Sequence, residues 1–192
     1  GRQEDVAVIS QEAQRAARIV RGLLTFARNH PATREPVQLN DVVNDVLHLR
    51  AYEHKVRGID VQPVLMPGLP EVTADQFQIQ QVFLNIVLNA EQAMEKCDGY
   101  KCLVAVTRRV DGRVRVSFAD TGPGIAAHEL DHVFDEFVRL QSRESSRHRA
   151  GLGLGLAIVR RLASVLDCQV RVRSRPGRGS VFSISVPMTD PP

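Results

Sequence analysis

Asn85 and Asn89 stand four residues apart inside an apolar run, so a helix over Asp75–Met94 places their amides one above the other on a single face. Asparagine is a poor helix former because its side chain competes for backbone hydrogen bonds. An isolated pair of this kind ordinarily faces solvent or satisfies buried backbone groups. This pair is followed by two glycine-rich stretches, Asp120-Thr121-Gly122-Pro123-Gly124-Ile125 and Gly151-Leu152-Gly153-Leu154-Gly155-Leu156. An amide-bearing helix with two such turns supplies what a nucleotide and a magnesium ion need. The amide oxygens suit a hard cation, and a glycine turn opening a helix offers free N–H groups to phosphate. No G-x-x-x-x-G-K-[ST] run occurs, so the site is not of the Walker type.

Charge points to the same region. The net charge is +3, and the segment from Val138 to Ala150 carries Arg139, Arg143, Arg147 and Arg149 against Glu144 alone, which is also +3. A charge run is usually a solvated face. One lying between two glycine-rich motifs reads instead as a mobile loop facing phosphate.

The elements that must position these groups follow from periodicity. Residues from about Gln3 to Asn29 read as one long helix, with Val6, Ile9, Ala13, Ala16, Val20, Leu23 and Ala27 in a seven-residue repeat. Ile19, Leu24 and Phe26 widen that stripe toward a bundle face, which needs a partner. His30-Pro31 ends it, and residues 31–38 read as a linker. Asn40 is expected to cap a helix carrying Val43, Val46, Leu47 and Ala51. Ile59–Leu65 and a stretch near Val72 read as strands, and Asp75 as the cap of the asparagine helix. Asp111-Gly112 joins two strands in a hairpin, the second running into Asp120. A helix from Leu154 to Leu166 and strands Gln169–Arg173 and Ser180–Val186 complete the domain. The expected class is α+β, a two-layer sandwich with helices on one face of a mixed, mostly antiparallel sheet, preceded by the long bundle-type helix.

Composition narrows the function classes. With 43% hydrophobic residues in 192, the chain can build a core. No apolar run spans a bilayer and no secretory leader is present, so the expectation is a soluble, cytoplasmic piece, attached to a membrane only through upstream regions. Three cysteines without a C-x-x-C spacing imply idle thiols in a reducing compartment. Nucleic acid is disfavoured, since there is no Trp and no basic stripe interleaved with aromatics.

Taken together, the asparagine helix, Asp120-Thr121-Gly122-Pro123-Gly124, Val133-Phe134-Asp135-Glu136-Phe137 and Gly151-Leu152-Gly153-Leu154-Gly155 resemble, in order, the motifs of sensor histidine kinase ATP-binding domains. These belong to the superfamily that includes gyrase, heat-shock protein 90 and the mismatch-repair ATPases, and share its Bergerat fold over residues 39–188. The resemblance implies ATP and Mg²⁺ as ligands. It gives Asn89 the role of magnesium ligand, Asn85 a supporting role at metal and phosphates, and Asp120 that of acceptor for the adenine amino group. Gly122, Gly124 and Ile125 line the base, while Gly151, Leu152, Gly153, Leu154 and Gly155 form the hinge at the phosphates. Phe134 and Phe137 sit beneath the lid, whose Arg139, Arg143 and Arg147 are candidates for charge compensation in transfer.

Residues 1–30 resemble the second helix of the dimerisation hairpin. The family's phosphoaccepting histidine lies on the first helix, upstream, so this chain alone is expected to bind ATP without labelling itself. A cognate response regulator and a homodimer through the N-terminal helix are the implied partners. Three positions depart from the family pattern. Leu152 stands where Thr or Ser is common, and Gln92 where Lys or Arg is frequent. Asn85 occupies the place of the glutamate that activates water in hydrolysing relatives. An amide is no general base at neutral pH, which favours transfer to a side chain. The alternatives are an ATPase-type clamp or a nucleotide-binding interaction module.

Overall fold

The computed structural model describes residues 33–95, 97–135 and 154–189. The expected helix over 3–29, the basic segment 138–150, Phe137, Gly151, Leu152 and Gly153 lie outside them, and so do Arg139 and Arg143. In chain order the elements are β1 (Glu35–Val37), α1 (Leu39–Leu49), α2 (Ala51–Arg57), β2 (Ile59–Val64), β3 (Val72–Ala74), α3 (Gln76–Met94), β4 (Lys101–Val110) and β5 (Arg113–Asp120). A 3₁₀ turn (Ala127–His132), α4 (Gly155–Val165), β6 (Gln169–Arg175) and β7 (Gly179–Pro187) follow.

Five strands form the main sheet in the order β2-β4-β5-β7-β6, with β2 parallel to β4 and all other pairs antiparallel. Strand alternation decides which face is covered. In β5, Val114, Val116 and Phe118 are buried while Arg113, Arg115 and Ser117 point to the other side. The buried face meets α3, whose Ile79, Val82, Phe83, Ile86, Val87, Ala90 and Met94 form a stripe at three- and four-residue steps. Phe83 packs edge-on against Phe118 with ring centroids 5.5 Å apart, joining the two layers at their centre. Among the described residues no helix is long and apolar enough to cross a membrane.

Two local signals act as expected. Asp75 caps α3, its carboxylate accepting the Gln78 N–H at 3.0 Å. Asp111 and Gly112 both take positive φ, 49° and 71°, the backbone required by a two-residue hairpin turn whose twist matches the strands.

Three expectations need correction. Residues 35–37, within the stretch read as linker, form β1 and pair with β3 in a two-stranded sheet, Pro36 opposite Thr73. Pro36 is tolerated because β1 is an edge strand. Asn40 is not the cap of α1: Gln38 is, its side chain accepting the Asn40 N–H at 3.4 Å. The Asn40 amide instead donates to the Met66 carbonyl and accepts from Thr107 Oγ1, tying the helix to the sheet. The helix expected to run through Ala51 breaks at Arg50, where ψ is 0°, and restarts as α2. The break turns the Arg50 side chain toward α3.

Candidate nucleotide site

Asn85, Asn89 and Ala93 fall at four-residue steps along α3 and mark one line on its surface. At one end of that line stands the start of α4. A Cβ on Gly155 would lie 3.7 Å from Asn85 Oδ1, so α4 begins directly over this amide. Asn85 spends its NH₂ on the Gln81 carbonyl at 2.9 Å, which leaves Oδ1 as its free end. Asn89 is half-buried, and its side chain has no hydrogen-bond partner among the described residues. At the other end, about 12 Å away by helical rise, Ala93 faces Gly122. A Cβ on Gly122 would stand 3.1 Å from that of Ala93 and 2.7 Å from Asp120 Oδ1. Glycine is required here to keep the carboxylate in place.

Asp120 is 6% exposed. Its Oδ1 accepts the Gly122 N–H at 2.8 Å, while Oδ2 is buried with no hydrogen-bond partner among the described residues. Burial pushes the carboxyl above the usual carboxylate range, against the pull of the Gly122 and Ser180 N–H groups. A buried acceptor with an unmet valence at the end of a strand suits a ligand N–H.

The loop after Asp120 is pinned from both sides. Thr121 Oγ1 accepts the Cys102 N–H and donates to the Tyr100 carbonyl, both at 2.9 Å. Ser174 Oγ accepts the Ile125 N–H and donates to the Gly179 carbonyl, both at 2.8 Å, and the Gly177 N–H reaches the Pro123 carbonyl at 2.7 Å. The turn between β6 and β7 thus lies across the 120–125 loop in direct backbone contact. Gly124, at φ 73°, would put a Cβ 2.2 Å from the Arg175 carbonyl oxygen. Gly179, at φ 95°, would put one 1.8 Å from the Asp120 carbonyl oxygen. Gly179 and Ser174 belong to no motif of the sequence analysis; both act through the turn that joins β6 to β7.

The structure therefore sets Asn85 and Asn89 of α3 in line with Gly155 at one end and with Asp120 and Gly122 at the other; Leu154 immediately precedes Gly155, and Gly124 and Ile125 continue the loop that begins at Asp120. Phe134 is placed differently. It packs edge-on against Phe182 with centroids 6.3 Å apart and faces a hollow lined by Arg160, Ala163, Ser164 and Val170. No residue of α3 lines that hollow.

Behind the site the back of α3 carries a group that the sequence reading passed over. Glu91 is 1% exposed; Arg50 Nε and Nη2 donate to its two oxygens at 3.0 and 2.7 Å, and His54 Nε2 lies 2.9 Å from Oε1. Burial would raise the Glu91 carboxyl, but the close approach of His54 and the hydrogen bonds from Arg50 outweigh it and hold it at about 2. Glu91 sits four residues after Val87 and three before Met94, on the core stripe. That periodic placement of a charge was the available signal. The three thiols are free, and burial pushes that of Cys168 up to about 12, as expected of an inert cysteine.

No cluster of His, Cys, Asp or Glu among the described residues could cage a metal. The donors that do fit are the two amide oxygens of α3. Mg²⁺ characteristically takes one or two protein oxygens and completes its shell with water and substrate phosphates.

An α+β sandwich whose amide-bearing helix meets a glycine turn at Asp120–Gly124 and a helix opening at Gly155 defines a class, and the chain belongs to it. Residues 74–190 match the family of histidine kinase-, DNA gyrase B- and HSP90-like ATPases. Within the family the chain is similar to sensor histidine kinases. It is 33% identical over 181 residues to the sensor histidine kinase ZraS of Klebsiella oxytoca, covering 94% of this chain and 37% of that one. To the adaptive-response sensory kinase SasA of Prochlorococcus marinus it is 36% identical over 134 residues, covering 70% of this chain and 34% of the relative. Full-length ShkA, solved in complex with AMPPNP, superposes with a TM-score of 0.79 at 28% identity, over 98% of this chain and 39% of that one. The chain thus spans little more than a third of these relatives.

Proposed function

We propose that this chain is the ATP-binding catalytic part of a sensor histidine kinase, working with Mg²⁺. The observation that carries the reading is the buried, unpartnered Oδ2 of Asp120, set at one end of the line on α3 that also bears Asn89 and Asn85. In this assignment Oδ2 accepts the adenine amino group, and Gly122 leaves the floor under the base open. Asn89 offers its amide oxygen to the metal. The first N–H groups of α4 receive the phosphate end, and Asn85 Oδ1, an acceptor, would serve the metal beside it. The metal, when bound, screens the charge of the phosphates. ShkA, which was solved with an ATP analogue, supports the nucleotide assignment.

Transfer then breaks the bond between the γ-phosphorus and the ADP oxygen and forms one to an imidazole nitrogen. That imidazole must be neutral to attack, which suits its pKa near 6.5. Arg139 and Arg143 are candidates to offset the charge that develops on the moving phosphoryl group. The acceptor histidine lies on a dimerisation helix, and the phosphoryl group passes on to a response-regulator aspartate. Asn85 favours transfer over hydrolysis, because an amide cannot deprotonate water.

The test is to incubate the chain with Mg²⁺ and γ-labelled ATP, with and without a separately produced histidine-bearing dimerisation hairpin. Acid-labile label on the hairpin, with little free phosphate, is the expected outcome. Steady release of free phosphate, slowed by Asn85→Ala, would make the domain an ATPase and sink the proposal.

A further inference from the structure

The face of the sheet turned away from α3 is cationic. Arg108 of β4, Arg113 and Arg115 of β5, and Arg171 and Arg173 of β6 all carry the outward parity of their strands. The ladder fixes their positions: Arg108 lies directly opposite Arg115, Arg115 opposite Ser185, Arg171 opposite Ser183 and Arg173 opposite Val181. Four strands and four rows of residues cover about 14 by 20 Å. Between the arginines stand the hydroxyls of Ser117, Ser183 and Ser185.

Among the described residues nothing acidic answers this charge. Among the described residues none of the five arginines forms an ion pair. Asp60, the acidic residue on the same face, lies on β2 at the far edge and is taken by Tyr100 and Gln62. Asp111 and Asp167 stand at the margin, and Asp167 offers Arg113 only its backbone carbonyl, at 3.4 Å. Arg115 is held flat by Ser185 Oγ at 3.1 Å, a neutral partner.

Protection of a sheet edge explains charges on β6, but not those on the inner strands β4 and β5. Like charges placed directly opposite each other in an antiparallel pair destabilise a sheet, so the pairing of Arg108 with Arg115 is a cost the fold alone does not require. Among the described residues the arginine-bearing strands β4 to β6 present no aromatic or methionine anchor on this face of the kind that concentrates binding energy in protein–protein interfaces, Tyr100 lying at the far edge with Asp60. The face also lacks a helix or ribbon that could enter a nucleic-acid groove. What fits an open array of guanidinium groups is an array of phosphates.

We infer that this open face of the sheet is a docking surface for an anionic phospholipid membrane. The arginines would bind lipid phosphates in bidentate fashion. Because α3, α4 and the 120–125 loop lie on the opposite layer, the docked domain keeps its nucleotide site open to solution.

Sedimentation of the 192-residue chain with vesicles tests this. The chain should pellet with vesicles of phosphatidylcholine mixed with phosphatidylglycerol and stay in solution with phosphatidylcholine alone. Binding should weaken as salt rises. Each arginine near an anionic surface is worth about fivefold in partition, so R171Q/R173Q should reduce binding about thirtyfold. Both positions are exposed on the outer strand, and unchanged ATP affinity would show that the variant is folded. R108Q, on an inner strand, should give about fivefold by itself. Absence of binding to anionic vesicles at low salt would overturn the inference. So would binding that R171Q/R173Q and R108Q leave unchanged, because another segment would then be responsible. Tighter binding to duplex DNA than to vesicles at equal phosphate concentration would reassign the face to nucleic acid.

Discussion

Asp120 and Gly122 close a loop on themselves: the Gly122 N–H donates to Asp120 Oδ1 at 2.8 Å, and this leaves Oδ2 buried with nothing to accept among the described residues. The carboxyl is therefore costly to the empty protein and useful to the liganded one. Its native pKa lies above the usual value, with burial as the largest cause. A carboxyl raised on folding contributes no penalty below its unfolded pKa. The penalty grows as pH rises through the raised native value, and is fully present above it.

Asp120→Asn should accordingly gain stability relative to the wild type as pH goes from about 4 to 8. Urea unfolding of the two nucleotide-free proteins measures that difference. A difference that stays flat, or that moves against the variant as pH rises, would contradict the desolvation argument. The same substitution should weaken ATP binding about tenfold to a hundredfold, the value of a hydrogen bond to a charged acceptor.

Ser174 is expected to hold the base-facing loop without touching the nucleotide. Its hydroxyl joins the Ile125 N–H to the Gly179 carbonyl. Ser174→Ala strands a part-buried N–H at a cost of about 1–3 kcal/mol, and Ser174→Thr should restore it. Titration calorimetry should find ATP weakened in the alanine variant and recovered in the threonine one. Equal affinity in all three proteins would remove Ser174 from the positioning network. Gly179→Ala is more severe, since its Cβ would meet the Asp120 carbonyl oxygen at 1.8 Å. Loss of the folded domain is the expected result.

Local signals were legible in the sequence where a residue acts on its own backbone. Asp75 caps the helix that begins one residue later, and Asp111-Gly112 turns the hairpin in which it lies. The asparagine pair and the glycines stand out in the sequence because the chemistry they permit is written in their types and order. What stayed hidden depends on partners distant in sequence. Gln38 displaces Asn40 as the cap because Asn40 is drawn away by Met66 and Thr107. β1 exists because β3 lies beside it. Phe134 was read from its place in a motif, whereas its position follows from Phe182, almost fifty residues further along. Arg115 and Arg171 looked like scattered surface charges until the strand order put them on one face.

Asn89 offers a further test. If its amide oxygen is the protein's ligand to Mg²⁺, Asn89→Ala should bind ATP with nearly the same affinity in excess EDTA and in excess Mg²⁺. The wild type should bind more tightly with the metal. Asn89→Asp should keep the metal dependence, because a carboxylate also serves a hard cation. A metal effect of equal size in the alanine variant would move the ligand elsewhere, with Asn85 the next candidate.

Glu91 carries the last prediction, which concerns stability rather than binding. Its carboxyl is depressed on folding from an ordinary 4.5 to about 2, because the contacts with His54 and Arg50 outweigh the burial that would raise it. A depressed carboxyl stabilises the fold fully above its unfolded pKa, and that contribution, about 3 kcal/mol, disappears as pH falls from about 4.5 through about 2. Wild-type stability should therefore drop steeply in that window, and Glu91→Gln, which has no charge to lose, should drop less steeply. Glu91→Ala leaves the Arg50 guanidinium without its carboxylate partner and should cost about 3–5 kcal/mol near neutral pH. The double variant Arg50→Ala/Glu91→Ala should recover part of this, since removing both members of a buried pair is milder than removing one. Strictly additive losses would mean that Arg50 and Glu91 stabilise the fold independently, and that α2 is not locked to α3 through this pair.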